Sequence, residues 1–530
     1  YGDHRDLHLS IRRQRQMCIR DRPDTNSQKD DGACPIPPLP KHLTEFYING
    51  RWVSPASTQS STLFQVTNPS YNEPIATIAL GSFEDTEAAV QAAQNALHSW
   101  SHETSMRQRK AHVQKLLHIY HRRSEEMAQL ISAEMGAPMD FAREAQVGSG
   151  SHHIEQFLHA LDYFEPEQRV PGSDEEEATT TIYLEPIGVV ALITPWNWPM
   201  NQVTLKVIPA LLVGCTCILK PSEMAPLSSL LFAEMMDEAG FPPGVFNLVN
   251  GDGAVVGSQL SAHPKIDMIS FTGSTRAGRL ISQAAATSNL KKVSLELGGK
   301  GANLIFADMG DALQEMVEAG VWSCFDNSGQ SCNAPTRMLV ERSVYDQSVA
   351  IATKLATGTD IVVQSADQEG DFYGPVSSRV QFDRVQNFIQ VGIDQGAKLV
   401  AGGLGRPEGT NGKGFFVKPT IFADVKPNMT IMQEEIFGPV LSIMPFDSEE
   451  EAVEIANDTP YGLTNYVSTR SIERRRRLSH LLKSGMIEFN GVGADAGAPF
   501  AAVRASGNGR EGGVWGLEDF CVVKVVSGVE

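Results

Sequence analysis

The sequence predicts an α/β protein built on a doubly wound parallel β-sheet. Short apolar segments alternate with helical segments through the middle of the chain, which is the pattern that βαβ units produce. Residues Val189–Ile193 are five consecutive apolar residues, as is typical of a strand buried on both faces of a parallel sheet. Further strands of this kind are predicted at residues 216–219, 245–249, 268–272 and 292–295.

The first folding signals along the chain are a hairpin and two helices. Residues 46–53 are predicted to form a β-hairpin, because Asn49-Gly50 favours a tight two-residue turn. Asp85 is predicted to cap a helix that has one apolar face. A longer helix, with apolar residues at helical spacing, is predicted to follow and to end at Gly136.

Helices are also predicted between the central strands. One covers residues 203–213 and stops at Gly214, and the next, Leu227–Ala239, stops at Gly240. Because crossovers between parallel strands are right-handed, the turns that follow these strands should lie along one edge of the sheet.

The later half of the chain repeats the α/β alternation. Residues 337–340 and 441–445 are predicted strands. Residues 179–184 alternate polar and apolar side chains, and residues 520–526 are rich in β-branched residues. These last two segments are predicted to be exposed strands, and exposed strands often pair between subunits.

The composition indicates a globular enzyme and excludes several classes of function. The chain has 530 residues, of which 42% are hydrophobic and 20% charged, so it can form two or more domains and is not disordered throughout. A net charge of −19 disfavours nucleic acid or an anionic membrane surface as a partner. No apolar stretch reaches the roughly eighteen residues that a transmembrane helix needs.

The cysteines indicate a reducing, cytoplasmic setting. There are seven of them, and an odd number scattered over a long chain is not typical of a disulfide framework. The sequence contains neither a CxxC pair nor an HExxH motif, so no metal site is predicted.

Residues 1–44 are predicted to be a disordered or non-native leader. Residues 1–22 are rich in arginine but also carry aspartates, which a mitochondrial transit peptide generally lacks. Residues 23–44 are rich in proline, aspartate and glycine, as is typical of a flexible lead-in.

Polar residues follow four of the predicted central strands, where ligands of open α/β sheets bind. Taken singly, Gly273-Ser274 is either a phosphate site at a helix start or a plain strand-to-helix turn. Lys220 and Glu223 are either ribose ligands or parts of a solvated loop. The convergence of the four turns on one edge favours a ligand site. Its candidate residues are Trp196, Asn197, Lys220, Glu223, Gly273, Ser274 and Glu296.

Cys332 is the candidate nucleophile. It follows a turn of glycine and polar residues, Asn327-Ser328-Gly329-Gln330-Ser331, rather than lying within a strand. A thiolate attacks carbonyl carbon well, and the resulting thioester releases its acyl group readily. The alternative is a buried structural cysteine, which is our interpretation of Cys324.

Together these motifs resemble the aldehyde dehydrogenase superfamily. The resemblance is carried first by Glu296-Leu297-Gly298-Gly299-Lys300, followed by Gly329-Gln330-Ser331-Cys332. It covers the chain from about residue 46 to the end. The further matching motifs, in chain order, are Pro195-Trp196-Asn197, Lys220-Pro221-Ser222-Glu223, Phe271-Thr272-Gly273-Ser274, Glu434-Glu435-Ile436-Phe437-Gly438-Pro439-Val440, Asn457 with Pro460-Tyr461-Gly462-Leu463, and Ser506-Gly507-Asn508-Gly509-Arg510.

The resemblance implies an aldehyde dehydrogenase-like fold with three parts. These are a Rossmann-type cofactor domain, an α/β catalytic domain and a small β oligomerisation element. The expected bounds are 45–165 and 187–298 for the NAD-binding domain, 299–505 for the catalytic domain, and 166–186 and 506–530 for the oligomerisation strands. The family likeness also implies a homodimer or homotetramer.

The resemblance further implies NAD-dependent oxidation of an aldehyde to a carboxylic acid. Cys332 is expected to form a thiohemiacetal and then a thioester, with the oxyanion bound by the Asn197 side chain and the Cys332 N–H. Glu296 is expected to activate the hydrolytic water.

The remaining implied roles concern the cofactor. Lys220 and Glu223 are expected to hold the adenine ribose, and Gly273-Ser274 to contact the pyrophosphate. The residues expected around the nicotinamide end are Trp196, Glu435 and Phe437.

One departure from the family pattern concerns the loop near the substrate entrance. Ala501-Ala502 replaces the usual pair of glycines, and alanine disfavours positive φ, so a changed backbone path is expected there. Two other functions stay open from the residues alone. One is a cofactor-independent cysteine hydrolase or acyltransferase, and the other is an inactive structural member of the fold.

Overall fold

The computed structural model describes residues 34–56, 63–170, 180–358, 361–370, 372–410, 412–495 and 497–528. The first 33 residues of the predicted leader lie outside this part of the chain. Within it, no helix is both long enough and apolar enough to cross a membrane.

The strands of the described residues are numbered in chain order. They are β1 (Phe46–Ile48), β2 (Arg51–Val53), β3 (Leu63–Asn68), β4 (Glu73–Ala79), β5 (Glu167–Arg169), β6 (Thr180–Pro186), β7 (Val189–Ile193), β8 (Thr216–Lys220), β9 (Phe246–Leu248), β10 (Met268–Thr272), β11 (Lys292–Glu296), β12 (Ala302–Ile305), β13 (Arg337–Glu341), β14 (Lys398–Ala401), β15 (Thr420–Ala423), β16 (Val440–Phe446), β17 (Thr464–Ser468), β18 (Met486–Phe489), β19 (Phe500–Ala501), β20 (Arg510–Glu511) and β21 (Cys521–Ser527).

The main α-helices are numbered in the same way, and shorter helical turns connect some of them. They are α1 (Phe83–His98), α2 (Met106–Arg122), α3 (Ser124–Met135), α4 (Gly148–Ala160), α5 (Pro199–Val213), α6 (Leu227–Ala239), α7 (Ser258–Ala262), α8 (Thr275–Thr287), α9 (Leu313–Phe325), α10 (Tyr345–Thr357), α11 (Arg379–Asp394), α12 (Thr430–Gln433), α13 (Glu449–Asn457), α14 (Ile472–Leu481) and α15 (Gly513–Asp519).

The first seven-stranded sheet is the predicted doubly wound sheet. Its strand order is β11-β10-β7-β8-β9-β1-β2, and the five strands from β11 to β9 are parallel. The chain therefore moves outward from β7 in one direction through β8 and β9, and then in the other through β10 and β11. The reversal creates a switch point beside β7, the place where open α/β sheets bind ligands.

The predicted hairpin is present at the far edge of this sheet. β1 and β2 pair antiparallel, with the turn at Asn49 (φ 54°) and Gly50 (φ 71°), and Tyr47 of β1 pairs with Leu248 of β9. Both turn residues have the left-handed conformation that an Asn-Gly turn provides most readily.

A second seven-stranded sheet lies in the later half of the chain. Its order is β14-β15-β16-β13-β12-β17-β18, parallel except for the antiparallel edge strand β14. A small sheet of order β21-β6-β5 contains the two segments predicted to be exposed strands, and they pair with each other antiparallel from Cys521↔Pro186 to Ser527↔Thr180.

Helix α5 lies at the centre of the largest apolar core. It is apolar almost all round, and every residue from Gln202 to Val213 is buried. A helix with no polar face has to be enclosed by other elements, and α5 packs against α2, α4 and α6. Because α5 begins directly after the β7 turn, its rigid packing also fixes the position of that turn.

Two local predictions about the N-terminal helices were wrong in detail. Helix α1 is capped by Ser82 and not by Asp85. Asp85 is the third residue of the helix, and the Asp85 carboxylate accepts the Ser82 N–H at 2.8 Å. The long helix that ends at Gly136 is two helices, α2 and α3, separated at Arg123. The acidic first turn of α3 favours a new helix start there.

The prediction of a flexible lead-in was wrong for residues 34–44. Pro40 is buried, and Leu39 and Leu43 pack against the largest apolar core. The Lys41 N–H donates to the Glu234 carboxylate at 2.7 Å. The composition of this segment resembles that of a linker, but its few apolar side chains are enough to anchor it.

Candidate active site

The carboxyl ends of four parallel strands bring the predicted turns together. Ile193, the last residue of β7, lies opposite Lys220 of β8 and Phe271 of β10. Thr272 of β10 in turn lies opposite Glu296 of β11. The turns that carry Asn197, Lys220, Ser274 and Glu296 therefore share one edge of the sheet.

The loop that carries Cys332 approaches this edge from the other sheet. After α9 the backbone is left-handed at Asn327 (φ 54°), Ser328 (φ 58°) and Gly329 (φ 72°). A Cβ at Gly329 would lie 2.2 Å from the Gly438 carbonyl, so only glycine fits where the loop crosses the segment before β16. This tight turn sets the direction from which Cys332 enters the site.

Two hydrogen bonds join the β7 turn to the loop of the candidate nucleophile Cys332, residues 326–332, which we call the nucleophile loop. The Asn197 Nδ2 donates to the Gln330 carbonyl at 2.9 Å, and the Trp198 Nε1 donates to Ser331 Oγ at 2.9 Å. Asn197 is buried. One of its two amide hydrogens is used by Gln330, and the amide carries a second that can bind a substrate oxygen.

The surroundings of the Cys332 thiol favour its protonated form. Its side chain is partly exposed, yet burial and the nearby charges of Glu296 and Glu435 raise its pKa to about 12, against which the backbone N–H groups of Cys332 and Asn333 act. A nearby base therefore has to accept the thiol proton before Cys332 can act as a nucleophile.

Glu296 is a buried carboxylate whose oxygens accept no hydrogen bond within the part of the chain that the structure describes. Neither Oε1 nor Oε2 accepts a hydrogen bond from the described residues, although the side chain is only 4% exposed. Burial raises the Glu296 pKa well above its ordinary value, and the charge of Glu511 raises it further, while Lys206 acts in the opposite direction. Such a carboxylate accepts a proton readily, as a general base must.

The β8 turn holds a buried ammonium group beside a carboxylate. Lys220 is 3% exposed, its Nζ donates to the Pro221 carbonyl at 3.0 Å, and it lies 3.6 Å from Glu223 Oε2. Burial lowers the Lys220 pKa. Because an ammonium group has three donors, Lys220 keeps donor capacity for a ligand.

The β10 turn leads into the start of helix α8. Ser274 caps this helix, and its Oγ accepts the Ala277 N–H at 3.3 Å. A Cβ at Gly273 would lie 2.6 Å from the Phe271 ring, so the turn is too tight for a side chain there. The first turn of a helix has N–H groups without partners inside the helix, and these groups and the helix dipole favour an anion at this point.

The segment before β16 supplies two further predicted residues. Glu435 Oε1 accepts the Gly299 N–H at 2.9 Å, which attaches this carboxylate to the loop after β11. Phe437 is left-handed (φ 62°), and its ring meets Trp196 edge to face with the centroids 5.6 Å apart. The aromatic pair therefore joins the β7 turn to this segment.

The structure adds buried polar residues that the sequence did not indicate. Lys206 of α5 is fully buried, donates to Thr272 Oγ1 at 2.7 Å and forms an ion pair with Glu511. Gln146 donates to the Asn197 carbonyl at 3.1 Å. No motif marks these residues, because their importance comes only from which segments they contact.

The two alanines that replace the usual glycines have ordinary backbone conformations. Neither Ala501 nor Ala502 has a positive φ, and Ala501 pairs with Arg510 in the β19–β20 hairpin. The changed loop path expected from the sequence stays a prediction, to be checked by comparing this backbone with that of relatives that carry the glycines. The left-handed residue of this loop is Arg504 (φ 59°), whose guanidinium donates to the Asn457 and Tyr461 carbonyls.

Comparison with known proteins gives a consistent result. The model of the aldehyde dehydrogenase family matches residues 52–526. A 3-succinoylsemialdehyde-pyridine dehydrogenase from a Pseudomonas species is 46% identical over 487 residues, which cover 92% of this chain and 98% of that protein.

Two solved structures agree with this assignment. The crystal structure of an aldehyde dehydrogenase from Bartonella henselae superposes with a TM-score of 0.87 at 52% identity, over 91% of this chain and 99% of that one. Aldehyde dehydrogenase C from Pseudomonas syringae, solved as a cysteine-to-alanine mutant with NAD+ and octanal, superposes with a TM-score of 0.88 at 44% identity, over 94% and 99%. The fold, the arrangement of the site and these matches agree, and the chain belongs to the aldehyde dehydrogenase family.

Proposed function

We propose that the protein oxidises an aldehyde to the carboxylic acid with NAD, through a covalent intermediate on Cys332. The convergence of Cys332, Asn197 and Glu296 at one edge of the doubly wound sheet carries this proposal. It is supported by the Pseudomonas syringae relative, which was crystallised with NAD+ and octanal after a cysteine had been replaced by alanine.

The first chemical step is attack of the Cys332 sulfur on the aldehyde carbon. Glu296 is the neighbouring carboxylate with a raised pKa, and it accepts the thiol proton. The resulting oxyanion is bound by the second amide N–H of Asn197 and the backbone N–H of Cys332. Removal of one such donor typically slows a reaction by about 10²–10³-fold.

The residues at the sheet edge fit a dinucleotide. Lys220 is a buried ammonium with donor capacity left over, and Glu223 beside it can accept hydrogen bonds from ribose hydroxyls. The start of α8 at Ser274 suits a pyrophosphate. Bound NAD would supply the hydride acceptor that converts the thiohemiacetal to a thioester.

The nicotinamide end is assigned to the segment before β16. Glu435 is proposed to bind the nicotinamide ribose, and the Trp196–Phe437 pair is proposed to flank the nicotinamide ring. Their partly exposed side chains leave room for a planar ligand.

The last chemical step is hydrolysis of the thioester. Glu296 has two oxygens that accept no hydrogen bond from the described residues, so it can take a proton from water. When the carboxylic acid leaves, the Cys332 sulfur takes up a proton again, as the raised pKa of Cys332 favours.

We also propose that the protein is a cytoplasmic homodimer or homotetramer with the three-part division predicted from the sequence. Strand β21 is the edge of the small sheet and exposes Val522, Val523 and Val525. An open, apolar edge strand is suited to pairing with another subunit.

A cofactor-independent cysteine hydrolase is not favoured. Such an enzyme normally needs a histidine base, and the one histidine after Cys332 is His480. His480 is exposed on α14.

The test is NADH absorbance with purified protein, NAD and a panel of aldehydes that differ in chain length and ring content. Wild-type protein should produce NADH, and Cys332→Ala should lose at least a thousandfold in rate. Cys324→Ala is the matched control, since Cys324 is a fully buried thiol that lies in an apolar core cluster. NADH formation by Cys332→Ala within tenfold of wild type would refute the assignment.

A further inference from the structure

Four amide side chains form a hydrogen-bonded group beneath the nucleophile loop. We call Gln146, Asn197, Asn327 and Gln330 the amide cluster, and each is at most 5% exposed. The Gln146 Nε2 donates to the Asn197 carbonyl at 3.1 Å and to Asn327 Oδ1 at 3.4 Å. The Asn327 Nδ2 donates to the same Asn197 carbonyl at 2.9 Å and to the Gln330 carbonyl at 3.3 Å.

The amide cluster holds Asn197 from two sides. Its backbone carbonyl accepts from Gln146 and Asn327, and its own side-chain amide donates to the Gln330 carbonyl at 2.9 Å. Rotation of the Asn197 side chain would break the bond to Gln330, and movement of its backbone would break the other two. The second amide N–H of Asn197 is therefore held in one direction.

The cluster also stabilises a strained turn. Asn327 and Ser328 are left-handed, a conformation that side chains other than glycine keep only where surrounding contacts enforce it. Gln330 adds a further hydrogen bond, in which its Oε1 accepts the Ser377 N–H at 2.8 Å. Loss of a cluster bond would let the turn before Cys332 relax.

Gln146 differs from the other three members because it belongs to neither loop. It lies in the helical turn Ala142–Val147, which leads into α4. Its Oε1 accepts no hydrogen bond from the described residues, so Gln146 acts in the cluster as a donor only. Its two donor bonds reach the β7 turn and the nucleophile loop together.

We propose that Gln146 is a positioning residue for oxyanion binding, acting through the backbone of Asn197 and the side chain of Asn327. The inference rests on the proposed function, in which the second Asn197 N–H binds the oxyanion. Preorganised donors contribute through their direction as well as their presence, so a small displacement of Asn197 lowers the rate of attack.

The primary variant is Gln146→Met, which keeps the length of the side chain and removes both donor bonds. We expect kcat/KM for the aldehyde to fall about 10–100-fold, with KM for NAD within twofold of wild type. Gln146→Glu keeps the shape of the side chain but places an acceptor oxygen against the Asn197 carbonyl. The fall in kcat/KM should therefore be larger for this variant than for Gln146→Met.

A double-mutant cycle identifies the path of the effect. In an Asn197→Ala background the oxyanion donor is already absent, so adding Gln146→Met should change kcat/KM by less than threefold. The control is Asn289→Leu. Asn289 lies before β11, and its amide donates to the Pro264 and Ile266 carbonyls before β10, at the opposite edge of the sheet. This control should leave kcat/KM unchanged.

The outcomes separate the two proposals. Wild-type protein that makes no NADH from any aldehyde would refute the proposed function itself. Active wild type in which Gln146→Met loses the same factor with and without Asn197 would overturn the positioning role alone. Activity of both Gln146 variants within threefold of wild type would overturn it as well. If Gln146→Met does not fold, the same cycle is run with Gln146→Glu.

Discussion

The sharpest test of the proposed chemistry is Glu296→Gln. The amide has nearly the same size as the carboxylate but cannot act as a base. Neither Glu296 oxygen accepts a hydrogen bond from the described residues, so the substitution removes no hydrogen bond among them. Hydrolysis should lose the contribution of a general base, about 10²–10⁴-fold. Cys332 then has to lose its proton to water instead of to Glu296, so thioester formation should also slow, but it should stay faster than hydrolysis.

The same substitution should raise stability at high pH. Burial and the charge of Glu511 raise the folded-state pKa of Glu296 above the ordinary value of 4.5, so the folded state holds this proton more tightly than the unfolded state. The wild type therefore loses stability as pH rises from about 4.5 towards the folded pKa, by at most about 1.4 kcal/mol per pH unit. Glutamine does not titrate, so the variant avoids this loss.

Two measurements check this reasoning. Rapid mixing with NAD and aldehyde should give a burst approaching one NADH per subunit, followed by slow turnover. Urea unfolding should show the stability gain growing as pH rises above the ordinary glutamate pKa of 4.5. The control is Glu134→Gln, which removes a buried carboxylate outside the proposed site. Glu134 also has a raised pKa, but its oxygens accept the Leu227 and Ser228 N–H groups at the start of α6. Equal burst and steady rates in Glu296→Gln would refute the role of Glu296 in hydrolysis.

Three further outcomes are expected. The ratio of kcat/KM with NAD to kcat/KM with NADP should exceed one, because the Glu223 carboxylate repels a 2′-phosphate. The ratio should fall towards one in Glu223→Ser, and a wild-type ratio at or below one would contradict this reasoning. Glu511→Gln should move the acidic limb of the pH–rate profile to lower pH, since the Glu511 charge raises the pKa of Glu296, which must lose its proton to act as a base; an unmoved or raised limb argues against the coupling. Deletion of residues 1–33 should leave Tm unchanged, whereas deletion of 1–44 should lower it by several degrees, as calorimetry can measure.

The central strands and the motif turns could be predicted from sequence because their signals are local. A run such as Val189–Ile193 has no polar residue to place in solvent, so it forms a strand inside a sheet. Glycine at Gly136, Gly214 and Gly240 ends three helices, and each has a positive φ in the structure. The candidate residues Asn197 and Glu296 were proposed in the same way, since each lies in the polar segment after a predicted strand.

Features that depend on distant segments could not be predicted in this way. The packing of residues 34–44, the ion pair of Lys206 with Glu511 and the donor role of Gln146 join positions more than fifty residues apart. The sequence by itself therefore determined the sheet, its turns and the candidate reactive side chains. Only the tertiary structure decided which buried polar groups surround them, because a hydrogen-bond partner is selected by spatial proximity and leaves no local pattern in the chain.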